Sequence, residues 1–335
     1  MNLHSNQTLM NPGTGAVGTA GEERLGGLAI LVLPGFSHLA LGAFIEPLSL
    51  ANSAAEREVF TWRVLTPDGK AVLSRSCIAV ESQGDLRELT QNDFDQLVVI
   101  SGQALDSRQF PEVSAGLRSI ARRNIKITAI GTATWLLAHA GVMTDTLCTI
   151  HWSQMAAFSE AFKDANVCNA LFVTDGQIST CAGEIAAFDL ALDLVTRYAG
   201  ADVVKEVCRY TTMINHRSGL ERQTSPAGLT FAGTNSKLAS ALHLMEDNIE
   251  FPIGLAEVAK RTKISVRQLE RLFMQHVGNS PAKHYKRMRL EHARRLVEQT
   301  GLSLTEIAIA CGFASASHFS KCFKELYGAT PTRCR

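Results

Sequence analysis

The chain has 335 residues, too many for one small module and suited to two domains. A hydrophobic fraction of 46% allows each of them a sizeable core, and no segment reaches the roughly 18 apolar residues that crossing a bilayer requires. The net charge of +1 hides an asymmetry: residues 1–200 carry 13 Lys and Arg against 20 Asp and Glu (−7), and residues 201–335 carry 20 against 12 (+8). Contact with a polyanion is therefore expected only from the second part, the alternative being a merely solvated basic face.

The eight cysteines, Cys77, Cys148, Cys168, Cys181, Cys208, Cys311, Cys322 and Cys334, are scattered, with no CxxC pair and no Cys/His metal spacing. They fit reduced thiols in a cytoplasm, and no metal or cofactor is implied. Residues 1–24 lack a basic start followed by an apolar run, so they read as a disordered lead-in and not as a signal peptide.

In chain order, Leu28–Leu33 is an apolar run ending at Pro34-Gly35, which predicts a buried parallel strand. A helix is expected from Leu39 to Ala54, a strand over Phe60–Thr66 closed by Pro67-Asp68-Gly69, and a third strand over Leu97–Ile100. The pattern then predicts a helix over Val113–Asn124, a strand over Ile125–Ile130, and the turn Gly131-Thr132-Ala133 into a helix Thr134–Ala140. Leu171–Thr174 and Ile178–Thr180 flank Asp175-Gly176 as a hairpin, and Gly183–Tyr198 reads as a long helix. Strands alternating with helices imply a mostly parallel sheet covered on both faces, here residues 25–214.

Residues 215–235 are rich in Gly, Ser, Thr and charge, with no sustained period, and read as a linker. Residues 236–335 read as helical throughout. Ser236–Asn248 opens this part, and Pro281–Gln299 is a connecting helix with Ser280 as N-cap, Pro281 at its first position and Gly301 at its end. Its apolar positions are Tyr285, Met288, Ala293, Leu296 and Val297; Lys283, Lys286, Arg287, Arg289, Arg294 and Arg295 are expected mostly outside.

Flanking the connecting helix is a repeat. Leu255, Val258 and Ala259 recur as Leu304, Ile307 and Ala308, an offset of 49 residues. Capping boxes recur as well, Ser265 with Gln268 and Ser303 with Glu306. Each unit is a short apolar-faced helix, a turn (Lys263-Ile264, then Gly312) and a second helix. The buried stripes of those second helices are Leu269, Leu272 and Phe273, then Phe319, Cys322 and Phe323. Both units describe helix-turn-helix heads.

The segments LAEVAKRTKISVRQLERLF and SLTEIAIACGFASASHFSKCFKELYGATP resemble the AraC family of transcription regulators, over roughly Lys237 to Arg335. The resemblance implies two helix-turn-helix subdomains placing recognition helices in successive major grooves of double-stranded DNA. On residue chemistry, Arg267 and Gln268 are the base readers of the first head, beside Ser265 and Val266, with Arg271 a phosphate contact; a solvated surface role for Arg267 is the alternative. In the second head, Ser315, Ser317 and His318, around Ala316, are candidates for base or phosphate contact, and Lys321 for phosphate.

The stretch AIGTATWLLAHAGVM, with CTIHW at Cys148–Trp152, LPGF at Leu33–Phe36 and Glu46 before Leu50-Ala51-Asn52, resembles the PfpI and class I glutamine-amidotransferase-like superfamily over about Leu28–Tyr198. It implies a flavodoxin-like, doubly wound α/β domain with a strand-turn-helix elbow that carries a cysteine in the enzymes. Gly131 stands at that position, and glycine has no nucleophile. Thr132 is adjacent and His151 is a candidate base, which leaves a hydrolase as the alternative. The favoured reading is a ligand pocket formed by Glu46, Gly131, Thr132, Trp135, His151 and Trp152. In it, elbow N–H groups receive a carboxylate and Glu46 or a Trp ring a cation. Core roles for the two tryptophans and structural roles for Glu46 and His151 stand beside this.

The combined architecture resembles the AraC branch that responds to arginine, carnitine or glycine betaine. That implies a transcription activator of catabolic genes, a small amino acid or quaternary amine as effector, a homodimer joined through the first domain, RNA polymerase as partner, and no membrane.

Overall fold

The computed structural model describes residues 26–91, 94–102, 110–214, 216–223 and 235–335. The expected lead-in of residues 1–24 lies outside the described residues, as do 215 and 224–234 of the expected linker.

The first part runs β1 (Gly26–Val32), α1 (His38–Ala54), β2 (Phe60–Leu65), a short hairpin β3 (Val72–Leu73) and β4 (Ala79–Val80), and α2 (Glu88–Gln91). It continues through β5 (Gln96–Ser101), α3 (Pro111–Arg122), β6 (Lys126–Gly131), α4 (Thr134–His139), β7 (Leu147–Cys148), α5 (Trp152–Ala161) and β8 (Asn166–Val167). It closes with β9 (Phe172–Asp175), β10 (Ile178–Cys181), α6 (Ala186–Ala199) and α7 (Ala201–Tyr210). Six strands form one sheet in the order β2-β1-β5-β6-β10-β9, parallel except for the β9–β10 hairpin. One face buries α1, α6 and α7 through residues such as Phe44, Leu48, Leu190 and Val207; the other buries α3 and α4 through Leu117, Ile120, Leu136 and Leu137. The central strands are covered on both sides, which is why β1, β5 and β6 read as continuous apolar runs.

Several features depart from the sequence reading. The helix expected from Gly183 begins at Ala186, because Gly183 (φ +92°) and Glu184 (φ +51°) form a left-handed turn first. Helices α5 and α7 were not expected; α5 keeps only Ala157 and Phe158 buried, too few for a visible stripe. Residues 216–223, expected as linker, strap the sheet domain instead. Phe172 and Leu171 donate to the carbonyls of Gly219 and Glu221, and Arg217 pairs with the fully buried carboxylate of Asp189 at 2.6 Å. The buried Gln223 amide donates to Thr149 Oγ1, Ile150 O and Ala170 O and accepts the Trp152 N–H at 2.7 Å. Such a strap has no periodic signature, since it borrows its hydrogen bonds from elements already formed.

The second part holds α8 (Ser236–Glu246), α9 (Leu255–Arg261), α10 (Val266–His276), α11 (Pro281–Gln299), α12 (Leu304–Ala310) and α13 (Ala316–Tyr327), then a 3-10 turn over Pro331–Arg333. Two separate cores form. Leu242, Met245, Val258, Leu269, Phe273 and Met288 make the first; Leu296, Ile307, Phe313, Phe319 and Phe323 make the second. Both capping boxes are present as the spacing predicts. The repeat extends to the turns. Lys263 (φ +56°) and Gly312 (φ +67°) occupy the same left-handed position, and the next residues, Ile264 and Phe313, return their N–H groups to Ala259 and Ala308. Helix α11 ends at Gln299 with extended Thr300 as its cap, so Gly301 supplies no left-handed turn there.

The two parts meet where α5 lies on α11. The Arg295 guanidinium sits 5.4 Å from the Trp152 ring centroid, Ala156 joins the second core, and Arg222 reaches Asp247 at 2.8 Å. Arg295 is thus drawn into the seam, not out in solvent as expected of it. His292 lies in the same seam. Burial, with the Arg295 charge adding, pushes its imidazole down to about 4.

Two predictions follow from this packing. A lysine in the left-handed region is strained where glycine is not, so Lys263→Gly should raise unfolding stability by about 1 kcal/mol in a denaturant titration. No gain would contradict the strain. Because an unfolded histidine titrates near 6.5, the unfolded chain takes up a proton on His292 that the folded chain refuses between about pH 6.5 and 4. The stability is therefore complete above this window and lost as pH falls through it, by about 2 kcal/mol at pH 5. His292→Gln should flatten that acid slope, and equal slopes in both proteins would count against it.

Candidate nucleic-acid interface and ligand cleft

The two recognition helices are α10 and α13. Ser265 starts α10 in an extended conformation and accepts the Gln268 N–H at 3.1 Å; the Gln268 side-chain carbonyl accepts the Ser265 N–H at 2.9 Å. The box leaves Gln268 its amide NH2 group to present outward, so pairing adenine with both ends would require opening the cap. Val266, Arg267 and Arg271 are exposed. Among the described residues no carboxylate is paired with Arg267 or Arg271, whereas Arg261, Arg287 and Arg294 are each spent on a glutamate four residues away. Among the described residues, the leading face of the first reading helix thus carries two arginines with no carboxylate partner.

In α13, Ser315 is the N-cap and accepts the His318 N–H at 3.2 Å. Its hydroxyl proton remains free to donate outward. Ser317, His318 and Lys321 are exposed and Ala316 half-buried, with the His318 ring edge-on to Phe313. Small residues at this helix start allow a closer approach of the backbone than the long side chains of α10 do.

A second site lies at the carboxyl ends of the parallel strands, where strand order reverses between β1 and β5. Such switch points hold ligands in doubly wound sheets, because the loops on either side diverge to opposite faces. Here they leave a cleft of about 560 Å³ lined by Ser37 after β1, Ser101 and Gly102 at the end of β5, Gly131 and Thr132 at the end of β6, and Gly183 and Glu184 after β10. Arg75, His151, Ser153 and Gln154 complete it. Its floor is glycine backbone. A Cβ on Gly131 (φ +75°) would lie 2.3 Å from Ser101 O, and one on Gly183 would lie 2.8 Å from the Gly131 Cα. Thus the position that the resemblance reserves for a nucleophile has no room for a side chain.

Charge sits at the mouth. Glu184 accepts the Ser37 hydroxyl proton at 2.6 Å and meets Arg75 at 3.3 Å, and its left-handed backbone is the kind of strain found at binding sites. His151 caps α5: its Nδ1 accepts the Ser153 N–H at 3.4 Å, which leaves Nε2 with the proton in the neutral ring. Burial pushes the imidazole below its usual value, with Glu184 opposing and Arg75 reinforcing. The Thr132 hydroxyl donates to Ser101 Oγ at 3.0 Å, and its N–H goes to Ser101 O at 3.1 Å. That N–H was expected to face an anion and is instead spent within the fold.

Of the six expected pocket residues, Gly131, Thr132 and His151 come together in this cleft. Glu46 is exposed on α1 outside it. Trp135 packs against Phe158 and Phe162 in a side core, and Trp152 faces the chain's own Arg295. The sequence reading missed Ser37, Arg75, Ser101 and Glu184. Gly183-Glu184 directly after a predicted strand was a usable signal; Arg75, in an irregular loop, left none.

An α/β sheet domain with a switch-point cleft, joined to two helix-turn-helix heads of which the first carries exposed arginines on its leading face, is the architecture of a DNA-binding protein with an attached domain of ligand-binding type. Residues 30–197 match the DJ-1/PfpI family and residues 258–335 a helix-turn-helix domain family. The chain is 33% identical over 305 residues to the HTH-type transcriptional regulator CdhR of Pseudomonas aeruginosa, covering 91% of this chain and 90% of that one. It is 32% identical over 308 residues to the regulator GlxA of Rhizobium meliloti, covering 92% and 95%. A crystal structure of an AraC family transcriptional regulator from Pseudomonas putida superposes with a TM-score of 0.51 at 26% identity, covering 55% of this chain and 98% of its own. Drosophila melanogaster DJ-1beta, at 20% identity and a TM-score of 0.50, covers 57% of this chain and shares the fold. The chain belongs to the AraC-type helix-turn-helix transcriptional regulators that carry an N-terminal DJ-1/PfpI domain. Among the described residues, no helix is long and apolar enough to cross a membrane.

Arg267→Ala should cost about 1–3 kcal/mol on the cognate duplex and relax the preference at one base pair, measured by titration against single-position variants of the site. An equal loss on every sequence would reassign Arg267 to the phosphate backbone.

Proposed function

We propose that the chain is an effector-responsive transcription activator of catabolic genes. It would bind a small amino acid or quaternary amine at the switch-point cleft without turning it over. The observation that carries this is the Arg75–Glu184 pair at the mouth of a glycine-floored cleft: one fixed cation and one fixed anion suit the two ends of a zwitterion. Zwitterion binding would replace the 3.3 Å contact between them with two better-placed pairs. Catalysis finds no support in this geometry. Gly131 brings no nucleophile, and the Thr132 hydroxyl proton is directed at Ser101 Oγ.

The route from cleft to DNA in this reading is α5. Its first turn, His151 to Gln154, lines the cleft, and the same turn puts Trp152 under Arg295 of α11. A ligand that pulls on this turn acts on the seat of both heads, provided it binds one seating better than the other. In this proposal two chains form a homodimer through the sheet domain, and RNA polymerase is a partner. Leu39 at the cleft and the exposed apolar residues Leu73, Ile78 and Ile185, close in sequence to Arg75 and Glu184, support the pairing.

The test is isothermal titration of the full chain with arginine, carnitine and glycine betaine, alongside Arg75→Ala and Glu184→Gln. One ligand is expected to bind, and each variant to weaken it at least about tenfold, the worth of one charge-assisted hydrogen bond. Binding that both variants leave untouched would move the effector elsewhere, and no binding by any of the three would exclude this effector class.

A further inference from the structure

The two heads share α11, but they do not share a core. Tyr285 and Met288 are buried with the first head, and Leu290, Ala293, Leu296 and Val297 with the second. Arg289 lies at the boundary. Its side chain was expected outside; instead it folds across to the turn of the second head. Nε donates to Cys311 O at 2.7 Å, Nη2 donates to Gly312 O, and Cζ stands 4.3 Å from the Phe313 ring centroid. Among the described residues no carboxylate pairs with it, so the guanidinium is held by two carbonyls and a ring.

The other side of that turn touches the first head. A Cβ on Gly312 would lie 2.5 Å from Pro252 Cγ and Cδ and 2.8 Å from Glu250 O, both in the loop that leads into α9. The Tyr285 hydroxyl donates to Asn248 O at 2.6 Å, which ties the start of that loop to α11. The turn of the second head is therefore clamped between the connecting helix and the entrance to the first head. A single helix with a core on each half can rock at its middle; this clamp sits where that rocking would occur.

We propose that Arg289, bonding the Cys311–Phe313 turn while Gly312 abuts Pro252, is a positioning residue that fixes the separation and relative twist of the two recognition helices, and so selects operators by the spacing between their half-sites. Each base pair added between half-sites moves the second by about 3.4 Å along the axis and turns it around the duplex. A rigid pair of heads follows one spacing, and a loosened pair follows several. The inference depends on DNA binding by the two heads and not on any effector.

The test begins with an operator selected by the full-length protein from a random duplex pool. Affinity is then measured for that site and for versions with one base pair inserted or removed between half-sites. The wild type should lose about 100-fold on the shifted sites, the cost of disengaging one head's base contacts. Arg289→Ala and Arg289→Lys should both lose less than about tenfold, because lysine keeps the charge and lacks the planar fork that spans two carbonyls. Their salt dependence should match the wild type. Phe313→Leu, which removes only the ring beneath the guanidinium, should fall between and guards against misfolding of the other variants. A spacing ratio unchanged in all three variants would reduce Arg289 to a purely structural role and overturn the proposal. A salt slope reduced by about one in Arg289→Ala and restored by Arg289→Lys would make it a phosphate contact instead.

Discussion

The structure depends on one helix being buried twice. Pro281–Gln299 gives its first half to one apolar core and its second half to another, and the sheet domain rests on its remaining face. None of the three bodies touching it can shift without changing how the others sit. Under the proposed function, this shared helix is what lets the sheet domain act on the heads. The cost is a crowded helix: among the described residues neither Arg289 nor Arg295 is paired with a carboxylate; two carbonyls and the Phe313 ring hold Arg289, and the Trp152 ring faces Arg295.

The sheet domain keeps the cleft of an enzyme-like scaffold while glycine occupies its elbow position. Parallel strands whose order reverses open a cleft at their carboxyl ends whatever lines it. Glycines at residues 102, 131 and 183 let the strand ends close on one another. What remains is a small polar chamber with an ion pair at its mouth and the first turn of α5 as one wall. Trp152 and Ala156 of the same ten-residue helix lie against α11 and the second core, so under the proposed function α5 links the cleft to the heads.

The sequence carried the elements whose order is local. The alternating apolar runs are the sheet strands, the 49-residue repeat is the pair of heads, and Ser265, Gln268, Ser303 and Glu306 form the expected caps. Those signals are periodic or short-range, so one chain displays them. Long-range pairings left no such trace. Glu184 meets Ser37 and Arg75, Gln223 meets Trp152, and Arg289 meets Gly312, all across stretches that no period links. For this reason the expected pocket kept Gly131, Thr132 and His151 but enlisted Glu46, Trp135 and Trp152, which lie elsewhere. The irregular stretch at 216–223 misled for the same reason, since its order is imposed by the sheet it covers.

The most direct measurement is hydroxyl-radical footprinting of the full-length protein on a selected operator. Two heads mounted on one braced helix should protect two windows on the same face of the duplex, centred about ten base pairs apart for each bound chain. A single window per chain, or two windows on opposite faces, would contradict a shared spine that presents both recognition helices to successive grooves.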